Sequence, residues 1–179
     1  GYASAGLINI PIKSPDLKNK FEVLSEALQR SNVAITTALS SSPLTGISSS
    51  NSDFEWKGKN PNQQENFGVI WVSHDYGKTI GWQFKDGRDF SDKFANDITD
   101  FKSAPGQPVN IVVNEAAAKY MNMKNPVGEI VKWNERTFIV VGLIKDMVME
   151  SPYTPAKQTL YFVNTGRAKA WMYIKLNPT

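Results

Sequence analysis

Residues 109–128 read VNIVVNEAAAKYMNMKNPVG and carry the clearest succession of structural signals in the chain. Residues 109–113 are a short apolar run rich in β-branched side chains, which predicts a buried strand. Asn114 is a favourable N-cap and is followed by a glutamate for the first turn, so we expect a helix to begin here. The sequence NPVG at 125–128 then predicts a turn in which Gly128 takes a positive φ.

The residues after this segment predict a β-hairpin and a further strand. Residues 130–133 (IVKW) and 137–144 (TFIVVGLI) have the composition of strands, and the polar residues NER at 134–136 separate them. Two such runs joined by a short polar turn are typical of a hairpin. Another strand is predicted at 159–162 (TLYF). This order of segments describes a structural scaffold and contains no catalytic motif.

The N-terminal part predicts a strand, a helix and a second strand joined by short connections. The first strand is expected at 7–12, and Ser14 is a suitable N-cap for the helix that follows. An apolar stripe that starts at Leu17 and recurs at helical spacing predicts one continuous helix ending near Arg30. Alternating apolar residues place the second strand at 33–39.

The rest of the chain is predicted to alternate short strands with polar connections. The serine-rich residues 40–52 predict a surface loop, with a binding loop as the alternative. The other predicted elements are an edge strand at 54–56, strands at 67–72 and 171–176, a short helix at 74–82, a return loop at 83–91, and a loop with one helical turn at 92–108.

Composition narrows the possible functions. The net charge of +3 comes from 20 basic and 17 acidic residues scattered along the 179-residue chain, which argues against nucleic-acid binding. The chain has no cysteine, which excludes disulfides and thiolate metal sites.

Its longest apolar run, at 138–144, is far shorter than the ~20 residues of a membrane helix. The chain begins at Gly1 without a methionine, and we expect a domain excised from a longer protein, such as one between two membrane spans.

The residues that could support catalysis are expected to be structural. His74 is the only histidine, and the adjacent Asp75 cannot readily face it as a Ser-His-Asp triad requires. The sequence GKT at 77–79 is like the end of a phosphate-binding loop, but Val72 occupies a position that must be glycine in that motif. Asp86 with Asp89, and Asp97 with Asp100, are expected to form turns and caps. We therefore predict no metal, no cofactor and no enzymatic activity.

The tryptophans provide two candidate contact residues. Trp71, Trp133 and Trp171 lie in strand patterns and are expected to be buried or half-buried. Trp56 and Trp82 lie closer to loops, and either one, if exposed, would be the best candidate for contact with a ligand or a partner.

Arg88 is the third candidate contact residue. It lies between Gly87 and Asp89 and is followed by Phe90, which we expect to be buried. We predict that Arg88 anchors this segment by hydrogen bonding to carbonyl groups or to a carboxylate. Contact with a partner subunit is the alternative.

Five short motifs in the same order give the chain a family resemblance. They are DY at 75–76, GRDFS at 87–91, VNEAAAKY at 113–120, NPVGEIVK at 125–132 and FIVVGLIKD at 138–146. With these motifs the chain resembles the extracytoplasmic core domain of MacB-type (FtsX-like) ABC transporter permeases.

The resemblance implies an α+β fold with two lobes. Residues 1–85 and 150–179 would form a discontinuous, membrane-proximal (porter-like) lobe of βαβ type. Residues 86–149 would form an inserted α/β lobe that contains the helix and the hairpin.

The resemblance also implies a non-enzymatic role in membrane transport. The domain would lie on the periplasmic side of the inner membrane and transmit ATP-driven motion in an export or lipoprotein-release type of system. Its implied partners are a second permease subunit, a cytoplasmic ATP-binding subunit or domain, and a periplasmic partner protein. A periplasmic ligand- or peptide-binding module without a transport role is the alternative.

Overall fold

A single mixed β-sheet organises the described part of the chain. The computed structural model describes residues 6–44, 46–47, 49–63, 65–147 and 153–178, and eleven strands within these ranges pair into one sheet. The strands are β1 (Leu7–Pro11), β2 (Ala34–Ser40), β3 (Ser50–Asn51), β4 (Glu55–Trp56), β5 (Phe67–Val72), β6 (Phe84–Gly87), β7 (Val109–Asn114), β8 (Ile130–Trp133), β9 (Arg136–Ile144), β10 (Thr159–Val163) and β11 (Trp171–Leu176). The helices are α1 (Pro15–Asn19), α2 (Phe21–Arg30), α3 (Tyr76–Ile80) and α4 (Glu115–Tyr120), with a 3-10 turn at Ala95–Asp97.

The sheet combines parallel and antiparallel neighbours. Its main path is β1-β11-β2-β5-β10-β7-β9-β8-β4, while β3 pairs with β5 and β6 pairs with β9 away from this path. The pairs β5–β10 and β7–β9 are parallel, and the other paired strands are antiparallel. The α+β fold expected from the sequence is confirmed.

Both faces of the sheet are buried. On β5, Val69 and Trp71 belong to one core cluster, while Ile70 and Val72 belong to the cluster on the opposite face. Burial on both faces explains why this strand is apolar throughout instead of alternating. Apolar side chains of α2 pack against the first cluster, and α3 contributes Tyr76 and Ile80 to the second.

The structure confirms the predictions made for residues 109–144. The side-chain oxygen of Asn114 accepts a 2.9 Å hydrogen bond from the amide of Ala117, so it caps α4 as expected. Gly128 has a φ of 95°. Strands β8 and β9 form the predicted hairpin, and Asn134 and Glu135 at its tip have φ values of 50° and 61°. Two consecutive positive φ values are typical of the type I′ turn that matches the twist of paired strands.

Other predictions need correction. The predicted helix is divided at Lys20, whose φ of −96° and ψ of 4° lie outside the helical region, into α1 and α2. The predicted return loop contains strand β6, which pairs with β9. The serine-rich segment is not simply a surface loop, because Ser40 and Ser42 are fully buried and the amide of Ser41 donates to the carbonyl of Trp71.

The sheet connects strands from both predicted lobes. Strand β10 pairs with β5 on one side and with β7 on the other, and β4 pairs with β8. The division into residues 1–85 with 150–179 and residues 86–149 stays a prediction. Parts of these ranges, at 1–5, 148–152 and 179, lie outside the described residues. No helix in the described ranges is long and apolar enough to span a membrane.

Candidate functional site

Trp56 and Trp82 are both buried, so the exposed indole on which their predicted contact role depended is absent. Trp82 is 9% exposed and packs edge-on against Tyr161, with ring centroids 4.8 Å apart. Trp56 is 8% exposed and packs edge-on against Phe67 at 5.7 Å. Trp82 is covered by strand β10, which is distant in the sequence, and Trp56 is covered by strand β5. A role of either residue in partner contact stays a prediction.

Arg88 has the geometry of the predicted anchor. Its guanidinium donates two hydrogen bonds, of 2.8 and 3.0 Å, to the carboxylate of Asp97 and one of 3.0 Å to the carbonyl of Asp89. Phe90 is buried, as expected. The side chain of Arg88 retains 36% exposure, and its contact with a partner subunit also stays a prediction.

The first and last strands come together at one end of the sheet, which we call the terminal end. It consists of Gly6, Leu7, Val33, Leu176 and Asn177. The amide of Leu176 donates a 2.7 Å hydrogen bond to the carbonyl of Gly6, and the amide of Asn177 donates to the carbonyl of Val33 at 2.9 Å. The two ends of the described chain therefore leave the domain side by side.

The opposite end of the sheet, which we call the distal end, contains a polar cavity. This end is formed by the last residues of β2, β5 and β10 and the first residue of β11, which the strand register places level with one another. The cavity has a volume of about 380 Å³, and its lining includes Ser25, Thr37, Ser73, His74, Asp75 and Thr165. It lies beyond the carboxyl ends of the parallel strands β5 and β10, where α/β sheets commonly bind ligands.

His74 lines this cavity without forming a catalytic triad. The hydroxyl of the neighbouring Ser73 accepts a 2.9 Å hydrogen bond from the amide of Leu39. The Nε2 atom of His74 is buried and has no hydrogen-bond partner among the described residues. In the same ranges, no group of three or more histidine and acidic side chains could hold a metal ion. The described residues of the cavity can therefore offer polar contacts to a ligand.

A second concave surface, the edge groove, lies at the β4 edge of the sheet. Its volume is about 360 Å³, and its lining includes Trp56, Lys57, Glu129, Ile130 and Lys132. Ile130 is 47% exposed. Ile130 is not among the predicted contact residues, although strict alternation along 130–133 places it on the outward side of its strand.

An ion pair occupies the outer side of β4. The ammonium of Lys59 lies 2.7 Å from the carboxylate of Glu65 and donates a 2.6 Å hydrogen bond to the carbonyl of Phe54. The amide of Phe54 donates to Glu65 at 3.0 Å. Because both backbone groups of Phe54 are already bonded, this position is closed to pairing with another strand.

Comparison with known structures identifies the fold. The chain is 15% identical to the periplasmic region of MacB from Actinobacillus actinomycetemcomitans, with a TM-score of 0.60 over 98% of this chain and 76% of that one. It is 12% identical to the extracellular domain of the noncanonical ABC-type transporter YknZ from Gram-positive bacteria, with a TM-score of 0.55 over 97% of this chain and 84% of that one. A sequence comparison with functionally characterised proteins finds no match.

The family model that describes the MacB-like periplasmic core domain matches residues 4–179, which is nearly the whole chain. The expected resemblance is confirmed, and the chain belongs to the family of MacB-like periplasmic core domains of ABC transporter permeases.

Proposed function

We propose that this domain transmits ATP-driven motion across the inner membrane. The domain lies on the periplasmic side, pairs with the same domain of a second permease subunit, and is coupled through membrane helices to a cytoplasmic ATP-binding subunit or domain. The hydrogen bond between Leu176 and Gly6 is the main support for this proposal. Two tethers that leave from adjacent strands move together, so a shift of the membrane helices moves the domain as one body.

The construction of the sheet supports a rigid response. The strands β11 and β2, which continue inward from the terminal end, are paired over most of their length. Buried clusters cover both faces of the sheet. Because close-packed interiors resist deformation, displacement at the terminal end reaches the distal end with little loss.

The distal end is where we place contact with the substrate or with a periplasmic partner protein. It lies away from the tethers by the length of strand β11, roughly 20 Å for a six-residue strand. Polar side chains and a cavity at this end provide a surface for such contacts. In this role the domain performs no covalent chemistry, and ATP is hydrolysed by the ATP-binding subunit.

Uncoupling the tether tests this proposal in the complete transporter. A flexible glycine-serine linker inserted between Asn177 and Pro178 should abolish transport while ATP hydrolysis continues. The control is the same linker inserted after Gly106, an exposed glycine at which an added Cβ would meet no atom within 4 Å. Equal transport by the two insertion variants would contradict force transmission.

A ligand-binding module without a transport role is the second candidate, and the polar cavity favours it. Such a module would tolerate a flexible tether, so transport would survive the insertion after Asn177. Filling the cavity by Thr165→Trp would instead block ligand capture, since Thr165 lines the cavity and is itself exposed. The two variants together therefore distinguish a relay from a binding module.

A further inference from the structure

Two arginines contact the same aromatic ring near the distal end. The guanidinium of Arg167 lies 4.4 Å from the ring centre of Phe101 and 5.1 Å from that of Trp71. The guanidinium of Arg136 lies 5.4 Å from the ring centre of Phe101. Both positive charges are therefore held next to one aromatic side chain, and cation–π attraction fixes their position.

Neither of these arginines has an acidic partner among the described residues. The ion pairs within these ranges include Arg30 with Glu26 and Arg88 with Asp97, but none that involves Arg136 or Arg167. Arg136 is only 7% exposed. A buried charge is normally paired, because transfer out of water is unfavourable unless an opposite charge or hydrogen bonds compensate for it.

The hydrogen bonds of Arg136 hold it in place without neutralising it. One terminal nitrogen donates to the carbonyls of Phe101 at 2.8 Å and Ser103 at 3.2 Å. Asp100, which precedes Phe101 in the sequence, accepts instead from the amide of Lys102 at 2.9 Å. The positive charge of Arg136 is thus preorganised, and the exposed Arg167 can close on a ligand beside it.

The two arginines belong to the end of the sheet that faces away from the chain termini. Arg136 is the first residue of β9, and Arg167 lies in the connection between β10 and β11. The parallel and antiparallel pairings of β9, β7 and β10 bring both positions to the distal end. The connection that carries Arg167 also carries Thr165 of the polar cavity.

We propose that Arg136 and Arg167, together with Phe101, form a binding site for an oxyanion, either a carboxylate or a phosphate group. Guanidinium groups match the planar geometry and charge of a carboxylate and also bind phosphate. The adjacent rings of Phe101 and Trp71 offer an apolar surface to the rest of the ligand. This binding chemistry does not depend on how the domain is tethered, so it can be tested separately from force transmission.

Nuclear magnetic resonance titration of the 179-residue chain tests the site. Sodium acetate and sodium phosphate are added at an ionic strength held constant with sodium chloride. We expect saturable shifts of the Arg167 side-chain Nε–H, the Trp71 indole N–H and the Phe101 amide. Saturation by acetate alone assigns a carboxylate ligand, saturation by phosphate alone assigns a phosphate ligand, and saturation by both supports a general oxyanion site.

Two variants make the result decisive. Arg167→Gln should weaken binding by about tenfold or more, because it removes a charge-assisted hydrogen bond to the anion. Arg30→Gln is the matched control, because Arg30 is also exposed but lies at the C-terminal end of α2, beside Glu26. This variant should bind the anion like the wild type. The proposal is overturned if neither salt gives saturable shifts beyond those of chloride, or if Arg167→Gln binds as tightly as Arg30→Gln.

Discussion

Arg88 holds the carboxylate of Asp97 through two parallel hydrogen bonds of 2.8 and 3.0 Å, although Asp97 itself has no exposed surface. The same carboxylate accepts from the side chain of Asn110 and from the amide of Ser91, both at 2.8 Å. This network fastens the segment after β6 to the beginning of β7. It explains why an arginine follows Gly87 without invoking a catalytic role.

We expect Arg88→Ala to lower the free energy of unfolding at pH 7 by about 2 kcal/mol, because Asp97 loses its charged partner while it remains buried. Urea denaturation measures this loss. Arg30→Ala should change the free energy by about 0.5 kcal/mol or less, because its ion pair with Glu26 is exposed. Equal effects of the two substitutions would contradict an anchoring role.

The effect of Arg88→Ala should also depend on pH. Burial by itself would raise the pKa of Asp97, but hydrogen bonds from Arg88, Asn110 and Ser91 outweigh burial and lower the pKa below its usual value. A lowered pKa stabilises the folded state above the unfolded-state pKa, and this stabilisation is lost as the pH falls through the folded-state pKa. The difference between wild type and variant should therefore shrink below about pH 4.

Asp89 is expected to show the opposite pH dependence. Burial raises its pKa from 3.8 to about 6, the Asp75 and Asp97 charges also raise it, and the amide of Phe90 and the charge of Lys78 lower it. Because the folded-state pKa exceeds the unfolded-state value, the ionised carboxylate destabilises the folded protein, and stability falls as the pH rises from about 4 to 6.

Asp89→Asn should therefore stabilise the domain at pH 7 by about 1–2 kcal/mol, a value reduced from the full pKa shift because the side chain is partly exposed. At pH 4 the two proteins should be nearly equal. Urea denaturation between pH 4 and pH 8 measures the difference, with the exposed Asp86→Asn as control. If the difference in stability is constant over this pH range, ionisation of Asp89 is not its cause.

Gly142 is expected to be essential for the pairing of β6 with β9. A Cβ at this position would lie 2.3 Å from the carbonyl oxygen of Arg88 and 2.7 Å from the ring of Phe84. We expect Gly142→Ala to lower the free energy of unfolding by about 1–3 kcal/mol, because the clashing oxygen belongs to the backbone and cannot rotate away. Gly106→Ala is the control, because a Cβ at Gly106 would meet no atom within 4 Å, and it should leave the free energy of unfolding nearly unchanged. A similar loss of stability in both variants would contradict this explanation.

Asn114 joins three segments through one side chain. Its oxygen accepts from the amides of Ala117 and Thr159, at 2.9 and 3.0 Å, and its nitrogen donates to the carbonyl of Lys157 at 2.8 Å. Asn114→Ala should destabilise the domain by about 2–3 kcal/mol, since it removes a cap and leaves buried backbone groups unpaired. The exposed Asn96→Ala is the control, and thermal unfolding that does not distinguish the two would be the contrary result.

Local sequence signals were sufficient for the elements whose partners lie close in the chain. The cap at Asn114 and the hairpin of β8 and β9 depend on residues a few positions apart, so turn chemistry and alternation predicted them. Strand β6 was missed because its sequence, FKDG, has no apolar alternation. What defines it is the close approach of Gly87 and Gly142 to the opposing backbone.

The candidate sites were harder to predict because they are assembled by tertiary contacts. Trp82 is buried by Tyr161, which follows it only in the distant strand β10. Arg136 and Arg167 meet at Phe101 because of the order of strands in the sheet, and no spacing of residues in the sequence predicts this contact. The sequence was therefore sufficient to predict the secondary structure of the scaffold and the family. The residues that form the candidate binding surfaces could be identified only from the folded structure.

The proposed function requires the domain to move as a rigid body when nucleotide binds on the other side of the membrane. Pulsed electron paramagnetic resonance on the complete transporter measures this motion, with spin labels on Asp92→Cys near the distal end and Lys145→Cys just after β9, both exposed positions. We expect the Asp92–Asp92 distance between two paired subunits to change when nucleotide is trapped, while the Asp92–Lys145 distance within one domain stays constant. An unchanged distance between subunits, or a changed distance within the domain, would contradict it.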